Sequence, residues 1–219
     1  MAFAHNVTSL VLSILAWIFF IIGCIGNSTG DFNVENAPWI IVNPEGNGKH
    51  IFFGTQAFYQ ENNLIGAPED LTKYSNCEST YTFCTPCKDN GRVTFAMLCI
   101  AVIFAAFAII FSTVLIFAEV ASVQYTNLAF TSAATIMACV GWSVFMHRCY
   151  NAIDDAANHL EYGAAGSITL LGFLLMGINV MVNVWSIACP CNGTSAGASS
   201  KGTPAAVPQS EPEEAKPVV

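Results

Sequence analysis

Charged side chains are scarce in this chain and are absent from long parts of it. Only 10% of the 219 residues are Asp, Glu, Lys or Arg, and 54% are hydrophobic, whereas a soluble domain carries about 25% charged residues. Charge is missing from residues 1–30, 93–118, 120–147 and 162–200. Each gap can hold the roughly 20 apolar residues of a membrane-spanning helix. The sequence therefore predicts an all-α membrane protein with a four-helix transmembrane bundle.

Basic residues are also few, and this excludes one class of partner. The chain has seven Lys and Arg against 15 Asp and Glu, with a formal net charge of −8. The seven are scattered and form no cationic stripe of the kind that nucleic-acid binding requires. No acid or base lies deep in a predicted span, which argues against a proton relay and secondary transport.

A four-span membrane domain is predicted for residues 1–190. Its spans are expected at about residues 8–26, 93–118, 128–146 and 163–188. The first span is kept as a helix of the mature protein, because no Lys or Arg precedes it and it is longer than the apolar region of a signal peptide. A disordered cytosolic tail is predicted for residues 191–219, which are mostly Ser, Gly, Ala, Pro and Glu.

The first loop, residues 27–92, is long enough to form a small extracellular domain, and the second loop covers residues 147–162. Two β-rich runs in the first loop, Trp39–Val42 and His50–Phe53, flank a segment of turn-forming residues and predict a β-hairpin. Aromatic side chains in and near it are candidate contact residues: Trp39, Phe52, Phe53, Phe58 and Tyr59. The alternative is that these aromatics form the loop's own core.

Four cysteines fall in the two loops: Cys77, Cys84, Cys87 and Cys149. On an oxidising side of the membrane they can form two disulfides, and the sequence leaves their pairing open. Cys84 and Cys87 also have the spacing of a redox dithiol, but no thioredoxin-like pattern surrounds them, so a structural role is favoured.

The basic residues contradict the orientation that the cysteines favour. Lys88, Arg92 and Arg148 lie near membrane ends on the loop side, and only Lys201 is comparably placed on the other side. The positive-inside rule would therefore put the loops in the cytosol. We favour extracellular loops because so few basic residues give a weak bias.

Other polar residues have expected roles that do not involve catalysis. Asn179 and Asn183 lie four residues apart in the fourth span and are expected to form hydrogen bonds to a neighbouring helix. Cys189 and Cys191 follow that span and are candidates for palmitoylation, and Asn27 is a candidate for glycosylation. We expect no metal site, no cofactor and no catalytic residue.

The order of parts resembles the claudin-like four-span superfamily. Pro38–Val42 followed by Ile51–Gly54 is similar to the early hairpin of such proteins, and Glu161–Ala164 is similar to the Glu-x-Gly-Ala opening of a claudin's fourth span. The claudin signature of Trp, Gly-Leu-Trp and two cysteines is absent. Cys77 and Cys87 have nine residues between them, which resembles the amastins, a group of parasite surface proteins.

These observations favour a non-enzymatic, multi-pass protein of the plasma membrane. The claudin-like resemblance implies that its extracellular loop mediates contact with a second copy, as a homo-oligomer, or with another membrane protein. An auxiliary subunit that modulates a channel or transporter is the alternative from a different class. A thiol oxidoreductase acting through Cys84 and Cys87 is the third hypothesis.

Overall fold

The computed structural model describes residues 2–26, 31–43, 50–60, 71–77, 82–118, 120–154 and 160–189. Four of its helices are long and apolar enough to cross a membrane, which confirms the prediction of four long apolar helices. They are α1 (Ala2–Ile25), α3 (Cys84–Phe117), α4 (Ala121–Phe145) and α6 (Ala164–Ala188). The predicted tail lies outside the described residues.

Helix α3 begins nine residues before the predicted start of the second span. Its 34 residues extend about 51 Å at 1.5 Å per residue, which exceeds a hydrocarbon core of about 30 Å. The first turns, which contain the charged Lys88, Asp89 and Arg92, therefore stand outside the hydrocarbon. Hydropathy marks only the apolar part of such a helix.

The four long helices form an antiparallel bundle. Helices α1 and α4 each pack against α3 and α6. Glycines allow close approach where α1 meets α6: a Cβ atom added at Gly172 would lie 2.9 Å from the ring of Phe20. Between α3 and α4, the Thr94 hydroxyl donates to the Gly141 carbonyl over 2.9 Å.

A five-stranded antiparallel sheet covers one end of the bundle, here called the sheet end; the opposite end is the far end. Its strands, in the order β4-β3-β2-β1-β5, are β1 (Ile40–Val42), β2 (Ile51–Phe53), β3 (Ala57–Gln60), β4 (Leu71–Lys73) and β5 (Leu160–Tyr162). Strands β1 and β2 pair as the predicted hairpin, with Ile41 opposite Phe52. The other three strands were not predicted.

The second loop contributes to the same sheet as the first. Strand β5 pairs with β1 and places Ile41 opposite Glu161. Before it, α4 continues through a π-helical turn (Met146–Tyr150) into α5 (Asn151–Asp154). A short helix in the first loop, α2 (Asp31–Asn36), packs against β2 and β3. The two loops therefore form one extramembrane structure.

Candidate interaction surface

Two disulfides lie at the sheet end and join all four loop cysteines. Cys77 pairs with Cys84, at a Cα–Cα distance of 6.1 Å, and Cys87 pairs with Cys149, at 4.6 Å. The second bond ties the first turn of α3 to the π-helical turn after α4. Cys84 and Cys87 belong to different disulfides, so they do not form the dithiol pair that the oxidoreductase hypothesis requires.

The inner face of the sheet is an aromatic core. Phe53 and Phe58 stack with ring centroids 5.7 Å apart, and the ring of Phe83 meets them edge-on at 5.3 and 5.6 Å. The hydroxyl of Tyr74 donates to the Gly54 carbonyl over 2.9 Å. Burial raises the pKa of Tyr74 well above its usual value, so this phenol stays protonated and keeps its hydrogen bond.

Trp39 connects the sheet to the bundle and is fully buried. Its indole Nε1 donates to the Gly23 carbonyl of α1 over 3.3 Å, and its ring meets that of Phe145 of α4 edge-on at 5.2 Å. Its backbone carbonyl accepts from the Gly163 N–H over 2.9 Å, at the start of α6. One side chain and its backbone therefore contact three of the four spans.

The outer face of the sheet carries a continuous row of side chains, here called the outer row. Cross-strand pairing aligns one residue from each strand in it: Leu71, Tyr59, Phe52, Ile41 and Glu161. The four apolar or aromatic members are partly exposed and Glu161 is exposed. Phe52 and Tyr59 stack with centroids 6.2 Å apart.

The alternation of the strands divides the five candidate contact aromatics between the two faces. Trp39, Phe53 and Phe58 are at most 2% exposed, so their assignment as contact residues is corrected: they are core. Successive side chains of a strand point to opposite faces, which leaves Phe52 and Tyr59 in the outer row. Sequence alone did not separate the two sets because both occur within the same aromatic runs.

At one edge of the sheet, Tyr162 of β5 belongs to an aromatic stack. It is 57% exposed and lies 6.3 Å from the ring of Trp142 and 5.8 Å from that of Tyr150. The indole Nε1 of Trp142 donates to the Gly166 carbonyl over 3.0 Å. The stack fixes the position of the short edge strand against α4 and α6.

A second constellation, here called the polar cluster, lies towards the far end. It consists of side chains from all four spans: Ser9, Ser13, Ser112, Asn127, Asn179 and Asn183. All six are buried. Asn179 Nδ2 donates to Ser13 Oγ over 2.8 Å, and Asn183 Nδ2 donates to Ser9 Oγ over 3.3 Å. The predicted pair therefore makes hydrogen bonds between helices.

Two further hydrogen bonds join Asn127 to the polar cluster, although this residue was predicted to lie in the segment that connects the second and third spans. Asn127 Nδ2 donates to Asn183 Oδ1 over 3.1 Å, and Asn127 Oδ1 accepts from Ser112 Oγ over 3.3 Å. None of the six side chains titrates near neutral pH. The hydrogen bonds of the cluster join all four spans and so can fix their register.

We expect Asn183→Ala to lower the free energy of unfolding by about 1–3 kcal/mol, because it leaves Asn127 Nδ2 and Asn179 Oδ1 buried without the hydrogen bonds that they form with Asn183. Chemical unfolding in detergent micelles measures the change. Thr126→Ala is the matched control, since that hydroxyl donates to the Ser122 carbonyl of its own helix. If the two variants had the same free energy of unfolding, the polar cluster would not stabilise the bundle.

The other predicted sites are only partly within the described residues. Cys189 is free and exposed directly after α6, which leaves its thiol accessible for acylation, whereas Cys191 and Asn27 lie outside the described residues. Within the described ranges, no three His, Cys, Asp or Glu side chains are grouped so that they could hold a metal ion.

Comparison with known proteins assigns no family to the chain. No protein-family model matches it, and no curated protein matches it. The claudin-like and amastin-like resemblances therefore stay predictions.

Proposed function

We propose that this chain is a non-enzymatic, multi-pass protein of the plasma membrane that binds another membrane protein, or a second copy of itself, through the outer row. The observation that carries the proposal is a line of four partly exposed apolar or aromatic side chains on the side of the sheet that faces away from its core. An apolar surface of this kind marks a site of association.

The composition of the outer row suits a binding surface. Phe52 and Tyr59 are large and rigid and form a stacked pair near its centre. Aromatic side chains dominate the binding energy of interfaces because they bury a large area at a low entropic cost. Glu161 at one end supplies a charged rim.

The cysteines support an extracellular position for the sheet end. All four loop cysteines are paired, and disulfides persist on the oxidising side of a membrane. This orientation places both the sheet and the outer row outside the cell, where they can reach a neighbouring membrane or a partner in the same membrane. The claudin-like resemblance implies the same kind of role.

We expect Phe52→Asp or Tyr59→Asp to weaken association by about 30-fold or more, because truncation of a central aromatic anchor commonly costs about 2 kcal/mol or more. Energy transfer between donor- and acceptor-labelled copies in liposomes measures self-association. Adhesion between two populations of these liposomes measures contact between membranes. Retention of partners from a membrane extract measures binding to a different membrane protein.

Phe53→Asp is the contrast variant, since Phe53 is adjacent in sequence but only 2% exposed. We expect it to prevent folding, whereas Phe52→Asp and Tyr59→Asp reach the membrane with both disulfides formed. Wild-type association of both outer-row variants in all three assays would refute the proposal. Failure of both variants to fold would also refute it, because the outer row would then be core.

A second candidate is an auxiliary subunit of a channel or transporter, and an aromatic cluster on the spans favours it. Phe130 of α4 lies within 5.8 Å of the rings of Phe104, Phe107 and Phe111 of α3. Phe107 is 42% exposed on the surface that would face lipid. Capture of a larger polytopic protein that persists in Phe52→Asp would favour this function.

A further inference from the structure

We infer that the sheet end holds the phosphate of an anionic phospholipid between Lys73, Lys88 and Arg92, with one acyl chain of that lipid in a groove between α1 and α3. The two parts of this site are a small cationic cavity and an apolar groove. Their α3 residues lie along one face of that helix, and neither part belongs to the outer row.

The cavity collects almost half of the basic residues of an acidic chain. Lys73, Lys88 and Arg92 line it together with Gln56, Tyr74 and Ser75, and the whole sequence has only seven Lys and Arg. Among the described residues, none of the three cations has an ion pair with an acidic side chain. The concentration of positive charge therefore favours an anion.

The size and hydrogen-bonding groups of the cavity suit a phosphate. Its volume is about 80 Å³, several times the roughly 10–15 Å³ that a cavity needs to hold one water molecule. Arg offers a planar set of N–H donors that fits phosphate oxygens, and Lys adds point charges. Lys88 and Arg92 lie four residues apart, so they project from neighbouring turns of α3 on one face.

The apolar groove lies on the same face of α3, further from the sheet than the cavity. It has a volume of about 400 Å³ and is lined by Ile21, Cys24 and Ile25 of α1 and by Phe95, Cys99, Val102 and Ile103 of α3. From Arg92, the steps to Phe95, Cys99 and Ile103 are three, four and four residues, which is the spacing of one helical stripe.

The groove also has the depth that an acyl chain needs. Ile21–Ile25 is the end of α1 nearest the sheet, so the groove lies in the leaflet adjacent to the cavity. Phe95 to Ile103 covers about 12 Å along α3, most of the roughly 15 Å that one leaflet contributes to the hydrocarbon core. Charge at one end and an apolar channel below it match a single lipid molecule.

This site gives a reason for the basic residues that oppose the orientation favoured by the cysteines. Lys88 and Arg92 stand at the membrane boundary on the sheet end, where the positive-inside rule disfavours them if that end is extracellular. Residues that bind a headgroup are retained for their ligand and need not follow the charge bias that orients the spans.

Native mass spectrometry of the purified full chain in detergent, titrated with phosphatidylglycerol or with phosphatidylcholine, tests the inference. We expect the first phosphatidylglycerol to bind at least about tenfold more tightly than phosphatidylcholine, and Lys73→Gln/Lys88→Gln/Arg92→Gln to remove that preference. Arg148→Gln is the matched control, because this exposed cation lies at the same end but outside the cavity.

Substitutions in the groove and competition with inorganic phosphate distinguish a bound lipid from a bound small anion. Cys99→Trp fills the groove and should weaken phosphatidylglycerol binding by about tenfold, and Cys99→Leu should give a smaller loss if the larger residue prevents folding. Inorganic phosphate should not displace the lipid. The inference would be overturned if the triple variant bound phosphatidylglycerol as the wild type does. It would also be overturned if phosphate displaced the lipid and both Cys99 variants bound the lipid as the wild type does.

Discussion

Trp39→Ala is expected to destabilise the protein by about 3–5 kcal/mol, the range for removing a large aromatic from a packed core. The substitution deletes the contact with Phe145 and the hydrogen bond to the Gly23 carbonyl, so it separates the sheet from two spans at once. Because folded proteins are stable by only about 5–15 kcal/mol, we expect much of the variant to misfold. Thermal unfolding in detergent measures the loss.

Trp185→Ala is the matched control for this experiment. Trp185 is 63% exposed on α6 near the far end, so the same chemical change is made on a surface that would face lipid. Trp39→Phe should give an intermediate loss, because it keeps an aromatic ring but removes the N–H donor. If Trp39→Ala and Trp185→Ala unfold at the same temperature, the sheet and the bundle are not coupled through this residue.

Removal of the Cys87–Cys149 disulfide by Cys87→Ser is expected to cost about 4 kcal/mol, because the bond closes a long loop and so restricts the unfolded chain. The two cysteines are 62 residues apart, against seven for Cys77 and Cys84, and the shorter loop should contribute only about 2 kcal/mol. Unfolding of the single and double serine variants measures both contributions.

The same variants test the pairing. Cys149→Ser added to Cys87→Ser should cause no further loss, because the bond is already broken, whereas Cys84→Ser added to Cys87→Ser should cause a further loss, because it breaks the second disulfide. The opposite pattern would mean that the cysteines pair differently. Peptide mapping without reduction gives the connectivity directly.

Labelling of intact cells with a membrane-impermeant thiol reagent tests the orientation. Cys77 is the best reporter, because it is only partly buried while Cys87 and Cys149 are fully buried. Labelling of Cys77 only after reduction would place the sheet end outside the cell. No labelling before or after reduction would place it inside and contradict the proposed contact function.

The four spans were predictable because hydropathy is a local property of consecutive residues. The β1–β2 hairpin was predictable for the same reason, since its strands are close in sequence and separated by turn-forming residues. Strand β5 was not, because Leu160–Tyr162 is a three-residue segment with a central glutamate. It becomes a strand only by pairing with β1 of the first loop. A pairing between residues so far apart in the chain leaves no signal in the local sequence.

The candidate sites show the same division between local and non-local information. Asn179 and Asn183 were recognisable as a polar pair within an apolar helix, but their partners Ser9, Ser13 and Asn127 come from other spans. Serine is common in membrane helices and bonds to its own backbone as readily as to a neighbour. The composition of the polar cluster therefore became visible only with the helix packing.

The outer row and the cationic cavity were likewise invisible in the sequence. The members of the outer row come from five separate segments, and Lys73 lies 15 residues before Lys88. Alternation along β2 could have separated Phe52 from Phe53, but the inward direction was unknown until the sheet was placed on the bundle. Burial then decided which aromatic faces water.

The pairing of β1 with β5 also sets an order on biosynthesis. Val42 and Leu160 are partners, and the second and third spans lie between them in the chain. At about 5–20 residues per second, roughly 6–24 s pass between synthesis of the two strands. During that interval the edge of Ile40–Val42 that faces away from its hairpin partner is open, and its unpaired backbone groups can associate with other chains until translation supplies the last strand.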